Sequence, residues 1–150
     1  MKKYILDTNI ASLLGGEETK ENRKIYEKFY QLDDEDVVMV SIVTLYEVTY
    51  GLKHSKDKKQ QEEIRQNIAY IQKYFEIIPL DLREIELFAD LKVLYKNKTG
   101  INKKAMKKND LDILIASTAM AEDAILISDD AIFKKLSEIE PKFKWENWLN

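Results

Sequence analysis

The stretch Asp112–Asp130, D-I-L-I-A-S-T-A-M-A-E-D-A-I-L-I-S-D-D, constrains the fold more than any other part of the chain. Its first half, Ile113 to Ala121, carries no charge and recurs at helical spacing through Leu114, Ile115, Thr118 and Ala119. Its second half, Ala124 to Ile127, is a short apolar run of the kind that forms a strand buried on both faces. A helix that leads into its neighbouring parallel strand runs out and back. Asp112, which opens the helix, and Asp130, just past the strand, are therefore expected on the same edge of a sheet.

The rest of the chain repeats that alternation. Tyr4–Leu6 reads as a strand ending at Asp7, followed by a short helix over 10–14 that Gly15 and Gly16 close. Residues 19–32 form an amphipathic helix with Thr19 as its cap. The acidic run 33–36 reads as a solvated turn. Val37–Val40 is a second strand, and Ser41 caps a helix over 42–52. A helix over 56–75 buries Ile64, Ile68, Ile71 and Phe75, and Ile77–Ile78 forms a third strand. A helix follows over 82–95, then a polar loop over 97–108, then the 112–130 unit with a fourth strand. Ala131–Ile139 is a last helix. The segment 141–150, with Phe143, Trp145 and Trp148, forms either an edge strand or a docked tail. With no linker and no repeat, residues 1–150 are expected to form one domain. The fold class is α/β: a three-layer α/β/α sandwich around a mainly parallel sheet of four to five strands.

In such sheets chemistry collects at the carboxyl ends of the strands. Asp7 closes the first strand and is the only charge between Tyr4 and Leu14. Glu47 is the only charge between Val37 and Leu52. Asp112 heads an uncharged helix, and Asp130 follows the fourth strand. A lone carboxylate in an apolar segment costs several kcal/mol, roughly, unless something neutralises it, and no Lys or Arg lies in these segments. Taken singly, the acids read as a strand-end cap, a solvent-facing helix residue and a helix N-terminal anion. Taken together, with no His or Cys nearby, they read as a hard oxygen site suited to Mg²⁺ or Mn²⁺.

Composition removes several alternatives. The chain has no Cys, which excludes disulfides, thiolate metal sites and thiol nucleophiles. Its one His, His54, lies in K-H-S-K-D-K-K and reads as a solvated helix end. The apolar run after Met1-Lys2-Lys3 is interrupted at Asp7, so no signal peptide is visible, and no uncharged run reaches the ~20 residues of a membrane span. A cytoplasmic location is expected. The net charge of −3 is unevenly spread, because residues 91–109 carry seven lysines and no acid. The remainder of the chain is therefore −10.

Four segments carry a family resemblance: Y-I-L-D-T-N-I (4–10), S-I-V-T-L-Y-E-V-T-Y-G (41–51), N-D-L-D-I-L-I-A-S-T-A (109–119) and I-L-I-S-D-D-A-I-F (125–133). In this order and combination they resemble the PIN-domain nucleases, and among them the VapC-type toxins of toxin–antitoxin pairs. The resemblance implies a metal-dependent endoribonuclease with Asp7, Glu47, Asp112 and Asp130 as its acids and Thr8 and Ser128 as supporting hydroxyls. In the third segment Asp112 keeps the family register and Asp110 is two residues early, better placed as a helix cap. In the fourth, Ser128, Asp130 and Phe133 fit, and Asp129 reads as a solvated neighbour. The resemblance also implies products with a 5′-phosphate and a 3′-hydroxyl, an antitoxin partner, and a homodimer, expected through the helices of 19–32 and 42–75.

On this reading Asp7, Asp112 and Asp130 hold one or two Mg²⁺ ions, and Glu47 holds or deprotonates the water that attacks phosphorus, directly or through a second ion. Lys103, Lys104, Lys107 and Lys108, next to the acidic edge, are candidates to contact RNA phosphates, against an ordinary solvated loop. Tyr26, Phe29, Tyr30, Tyr46 and Tyr50 are expected in the core or a dimer interface. Two other readings stay open: an RNA-processing nuclease with no antitoxin, and a non-catalytic acidic binding module. An aspartate-nucleophile phosphatase is disfavoured because Asn9 stands where its second acid belongs. A phosphoacceptor receiver domain finds only a partial match at Asp81.

Overall fold

In the computed structural model, which describes residues 1–150, strands and helices alternate along the chain. The first half comprises β1 (Lys3–Leu6), α1 (Thr8–Ala11), α2 (Lys20–Gln31), β2 (Val37–Ser41), α3 (Ile42–His54), α4 (Lys58–Tyr74) and β3 (Glu76–Ile78). The second comprises α5 (Arg83–Thr99), α6 (Lys103–Lys107), α7 (Asp110–Ala121), β4 (Ile125–Ile127), α8 (Ala131–Ile139) and β5 (Lys144–Glu146). The strands form one wholly parallel sheet in the order β3-β2-β1-β4-β5. The tail containing Trp145 is therefore an edge strand.

Side chains leave a strand alternately to its two faces, and this alternation divides the core. Ile5, Met39 and Leu126 point to one side, under α5, α7 and α8, where they meet Leu91, Ile113, Ile115 and Phe133. Tyr4, Leu6, Val40 and Ile127 point to the other, under α1, α2 and α4, where they meet Ile10, Ile25, Ile71 and Trp148. Helices on both faces explain why the strands read as continuous apolar runs. Each fully buried Ile or Leu contributes roughly 1.5–3 kcal/mol of burial. No helix is long and apolar enough to cross a membrane.

Local signals account for most helix ends. Thr19 and Asn22 form a reciprocal capping box at α2, and Ser41 accepts from the Val43 N–H at α3. Asp57 accepts from the Lys59 N–H, so α4 starts slightly later than its polar lead-in suggests. The first short helix begins at Thr8 rather than Ile10, because Asp7 already occupies the cap position.

The expected polar loop over 97–108 is largely helical. α5 continues to Thr99, Gly100 closes it with φ +66, and Asn102 caps α6 by accepting from the Ala105 N–H. Its polarity reflects solvated helix faces, which composition alone does not separate from a loop. Asp110 is not the cap of α7 either. Asn109 holds that position, and Asp110 pairs with Lys92 at 2.9 Å.

The aromatic residues divide. Tyr26 and Phe29 pack against the second core, with Phe29 6.0 Å from the Trp148 ring. Tyr30, Tyr46 and Tyr50 are exposed, and His54 stacks on Tyr50 at the exposed end of α3.

Gly15 has φ +82, and a Cβ there would run into the Cβ and Cγ of Tyr70, whereas Gly16 has open space. Gly15→Ala is expected to destabilise the fold by at least about 2 kcal/mol, from strained backbone and overpacking. Gly16→Ala should be near neutral. Thermal denaturation of the two variants checks the contrast.

Candidate active site

β1 lies between β2 and β4, so its carboxyl end is the centre of the edge on which the expected acids converge. The Asp7 N–H donates to the Ile127 carbonyl at 2.9 Å, which locks the end of β1 to β4. The Asp7 side chain is 4% exposed, and its Oδ2 accepts a 2.8 Å hydrogen bond from Ser128 Oγ. Ser128 is itself fully buried. Its N–H donates to the Glu146 carbonyl at 3.1 Å, and its carbonyl accepts from Trp145 Nε1 at 3.0 Å. The edge strand β5 thus braces the hydroxyl that holds Asp7.

Thr8 performs a parallel service for Glu47. Its Oγ1 donates to Glu47 Oε1 at 2.6 Å and lies 3.2 Å from the Oγ1 of Thr44, which is fully buried. A hydroxyl has one proton, and the carboxylate is the stronger acceptor. Thr44 is therefore the donor across the 3.2 Å contact, giving the order Thr44 to Thr8 to Glu47. Glu47 is half-buried on α3 and reaches the rim from the β2 side.

Asp112 lies half-buried in the first turn of α7. Its pKa is pushed up to about 7, by burial first and then by the charges of Asp7, Asp130 and Glu47. Burial also pushes Asp7 up to about 6. The hydrogen bonds from Ser128 and the Thr8 backbone oppose that rise, and the charges of Glu47 and Asp130 add to it. All four acids therefore share one electrostatic neighbourhood. None of them belongs to an ion pair.

Asp130 sits differently from the other three. It is exposed, and its Oδ1 caps α8 by accepting from the Ile132 N–H at 3.1 Å, while its own N–H donates to Ser128 Oγ at 3.0 Å. One oxygen is thus committed to the helix and the other is free. Asp110 faces Lys92, away from the cluster. Asp129 is exposed, and its Oδ1 accepts from Asn9 Nδ2. That bond joins the ends of β1 and β4, so Asp129 is more than a solvated neighbour. Sequence reasoning gives Thr44 no role and takes Asn9 only as the residue that disfavours an aspartate-nucleophile phosphatase. The signal for Thr44 was its place one helical turn before Glu47, and for Asn9 its place beside Thr8 at a strand end.

The donor set is carboxylate and hydroxyl oxygen, with no nitrogen or sulfur, which suits a small hard cation. Two of the acids hold raised pKa values with no Lys or Arg to relieve them, so positive charge is what the cluster lacks. No three of the carboxylates converge tightly enough to cage an ion alone.

Comparison with known proteins gives a consistent family picture. The model of the PIN domain matches residues 4–139. The chain is 29% identical over 145 residues to ribonuclease VapC2 of Rickettsia felis, covering 97% of each. Its fold is similar to that in the crystal structure of VapBC2 from Rickettsia felis bound to a promoter DNA fragment, with TM-score 0.76, 25% identity and coverage of 97% of this chain and 98% of that one. It is also similar in fold to VapBC-1 from nontypeable Haemophilus influenzae, with TM-score 0.73, 22% identity and 99% of each chain covered.

The raised carboxylates have a cost that depends on pH. Where a folded acid has a pKa above its unfolded value, the folded state holds more protons, and stability falls as pH rises from about 4 towards about 7. In chelator, Asp112→Asn should therefore melt a few degrees above wild type at pH 8, and the gap should close by pH 4. Added Mg²⁺ should raise the wild-type melting temperature at pH 8 and narrow the gap. Parallel melting curves across pH would contradict this account of the cluster.

Proposed function

The chain belongs to the PIN-domain family, and we propose that it is a metal-dependent endoribonuclease and the toxin of a toxin–antitoxin pair. The observation that carries the chemistry is the cluster of Asp7, Glu47, Asp112 and Asp130 with no cation among them. The ribonuclease name of the Rickettsia felis relative supports RNA as substrate. The likeness to VapBC2 of Rickettsia felis supports a protein partner, the antitoxin of such a pair.

Asp7 Oδ1, Asp112 and the free oxygen of Asp130 would hold Mg²⁺ or Mn²⁺. When bound, the ion supplies charge that draws the phosphodiester to an acidic rim and acidifies the attacking water. Every other part of the reaction falls to the protein. Ser128 fixes Asp7 Oδ2 and leaves Oδ1 to the ion. Thr8 fixes Glu47 Oε1 and leaves Oε2 to accept a proton from the attacking water. The water oxygen bonds to phosphorus as the bond to the 3′ oxygen breaks, and the departing 3′ oxygen takes a proton from solvent, which leaves a 5′-phosphate and a 3′-hydroxyl. Burial of Asp7 limits competing solvent on the protein side.

Homodimerisation also belongs to this proposal. Exposed Tyr46 and Tyr50 on α3 suit the expected surface, and Leu82 at the N-cap of α5 with Ile85 and Val93 on that helix adds exposed apolar surface.

Asp7→Asn, Glu47→Gln and Asp112→Asn should each lower cleavage of a labelled RNA at least about a hundredfold, in the range expected for loss of general-base or electrostatic groups. Chelation should do the same to wild type, with Mg²⁺ or Mn²⁺ restoring it. Asp110→Asn should cleave almost normally. Full activity in Asp112→Asn would remove that residue from the site. Binding of a partner that depends on the four acids, with no hydrolysis, would favour the acidic binding module.

A further inference from the structure

The lysine-rich segment builds a groove rather than a loop. α5 and α6 enclose a cleft of about 470 Å³. Phe88 and the buried Met106 supply apolar surface, and Lys92, Lys96, Lys103 and Lys107 line the walls. Lys103 and Lys107 face it together because they lie one helical turn apart on α6. Lys104 and Lys108 do not line it. Lys92 ties the groove to the first turn of α7, which also carries Asp112. Its Nζ lies 5.8 Å from the Phe88 ring centroid and 2.9 Å from Asp110, two residues before Asp112.

We propose that this groove seats single-stranded RNA beside the acid cluster, with lysines on the phosphates and Phe88 offering its face to a base. The proposal deepens the nuclease reading and rests on it for the direction in which the strand runs. Charge selects the occupant. Residues 91–109 contribute seven positive charges and the rest of the chain is −10, so this segment is the surface that can draw a polyanion towards an acidic rim. Base stacking on an aromatic face combined with backbone-tracking lysines is the chemistry by which single strands are held without sequence preference. An acidic peptide would satisfy the lysines as well, but it has no reason to abut the turn that carries Asp112.

Binding and turnover should be read separately on the full chain. With Asp7→Asn protein in chelator, fluorescence anisotropy would follow a labelled single-stranded RNA of about twelve nucleotides, within the usual span of such sites. Lys103→Ala with Lys107→Ala should weaken binding about tenfold at low salt. It should also flatten the slope of log Kd against log salt by about 1.4, two contacts at about 0.7 each. Phe88→Leu should weaken binding severalfold and leave the salt slope unchanged. In the otherwise wild-type enzyme the lysine pair should raise KM for the same RNA and hold kcat. Unchanged affinity and slope in the lysine pair would overturn the proposal. So would loss of binding to a polyglutamate probe while RNA binding stays intact, which would make the groove a protein-binding face. If Asp7→Asn still cleaves RNA, the nuclease assignment fails while the anisotropy arm still decides the groove.

Discussion

A carboxylate at the centre of a parallel sheet has to be tolerated by its surroundings, and for Asp7 that tolerance comes from the far end of the chain. Ser128 reaches it across 121 residues of sequence and a single hydrogen bond. Ser128 is in turn held by backbone and indole contacts from β5. The central position of β1 places Asp7 where β2 can deliver Glu47 through α3 and where β4 can deliver Asp130. α7 closes the group from one face with Asp112. The hydrophobic layers on either side fix these strands in register, so the two cores serve the edge where the acids meet as well as the stability of the whole.

Like charges brought together need a reason to stay. Here two neutral hydroxyls each take one carboxylate oxygen, and no basic side chain intrudes. The hydroxyls orient the acids without cancelling their charge. A lysine in the same place would have relieved the repulsion and filled the position a divalent ion is proposed to take. The basic residues are kept instead on α5 and α6, outside the rim, and Lys92 spends its charge on Asp110 rather than on Asp112.

Much of this was legible in the chain because the strong signals are local. Apolar strand runs, Thr19 and Ser41 as caps, and isolated charges in apolar segments each speak through neighbouring residues. The solitary settings of Asp7 and Glu47 were enough to mark them. What was not legible depends on distance or on geometry finer than composition. The segment 97–108 reads as a loop because polar residues suit loops and solvated helices alike, and Gly100 and Asn102 become caps only once the helices exist. The bond between Asn9 and Asp129 spans 120 residues, and Thr44 looks like any helix threonine until Thr8 is placed beside it. The exposed apolar surface of α5 was hidden because an apolar helical position looks the same whether it faces a core or a surface.

The long span between Asp7 and Ser128 also sets a timetable for the nascent chain. At roughly 5–20 residues per second, a ribosome that has made Asp7 needs on the order of ten seconds more to make Ser128. During that interval β1 lacks one of its two neighbours, and the carboxylate at its end lacks its hydroxyl. Distant pairings of this kind also form late in folding. The carboxyl end of β1 is therefore completed only after β4 and Ser128 have been made.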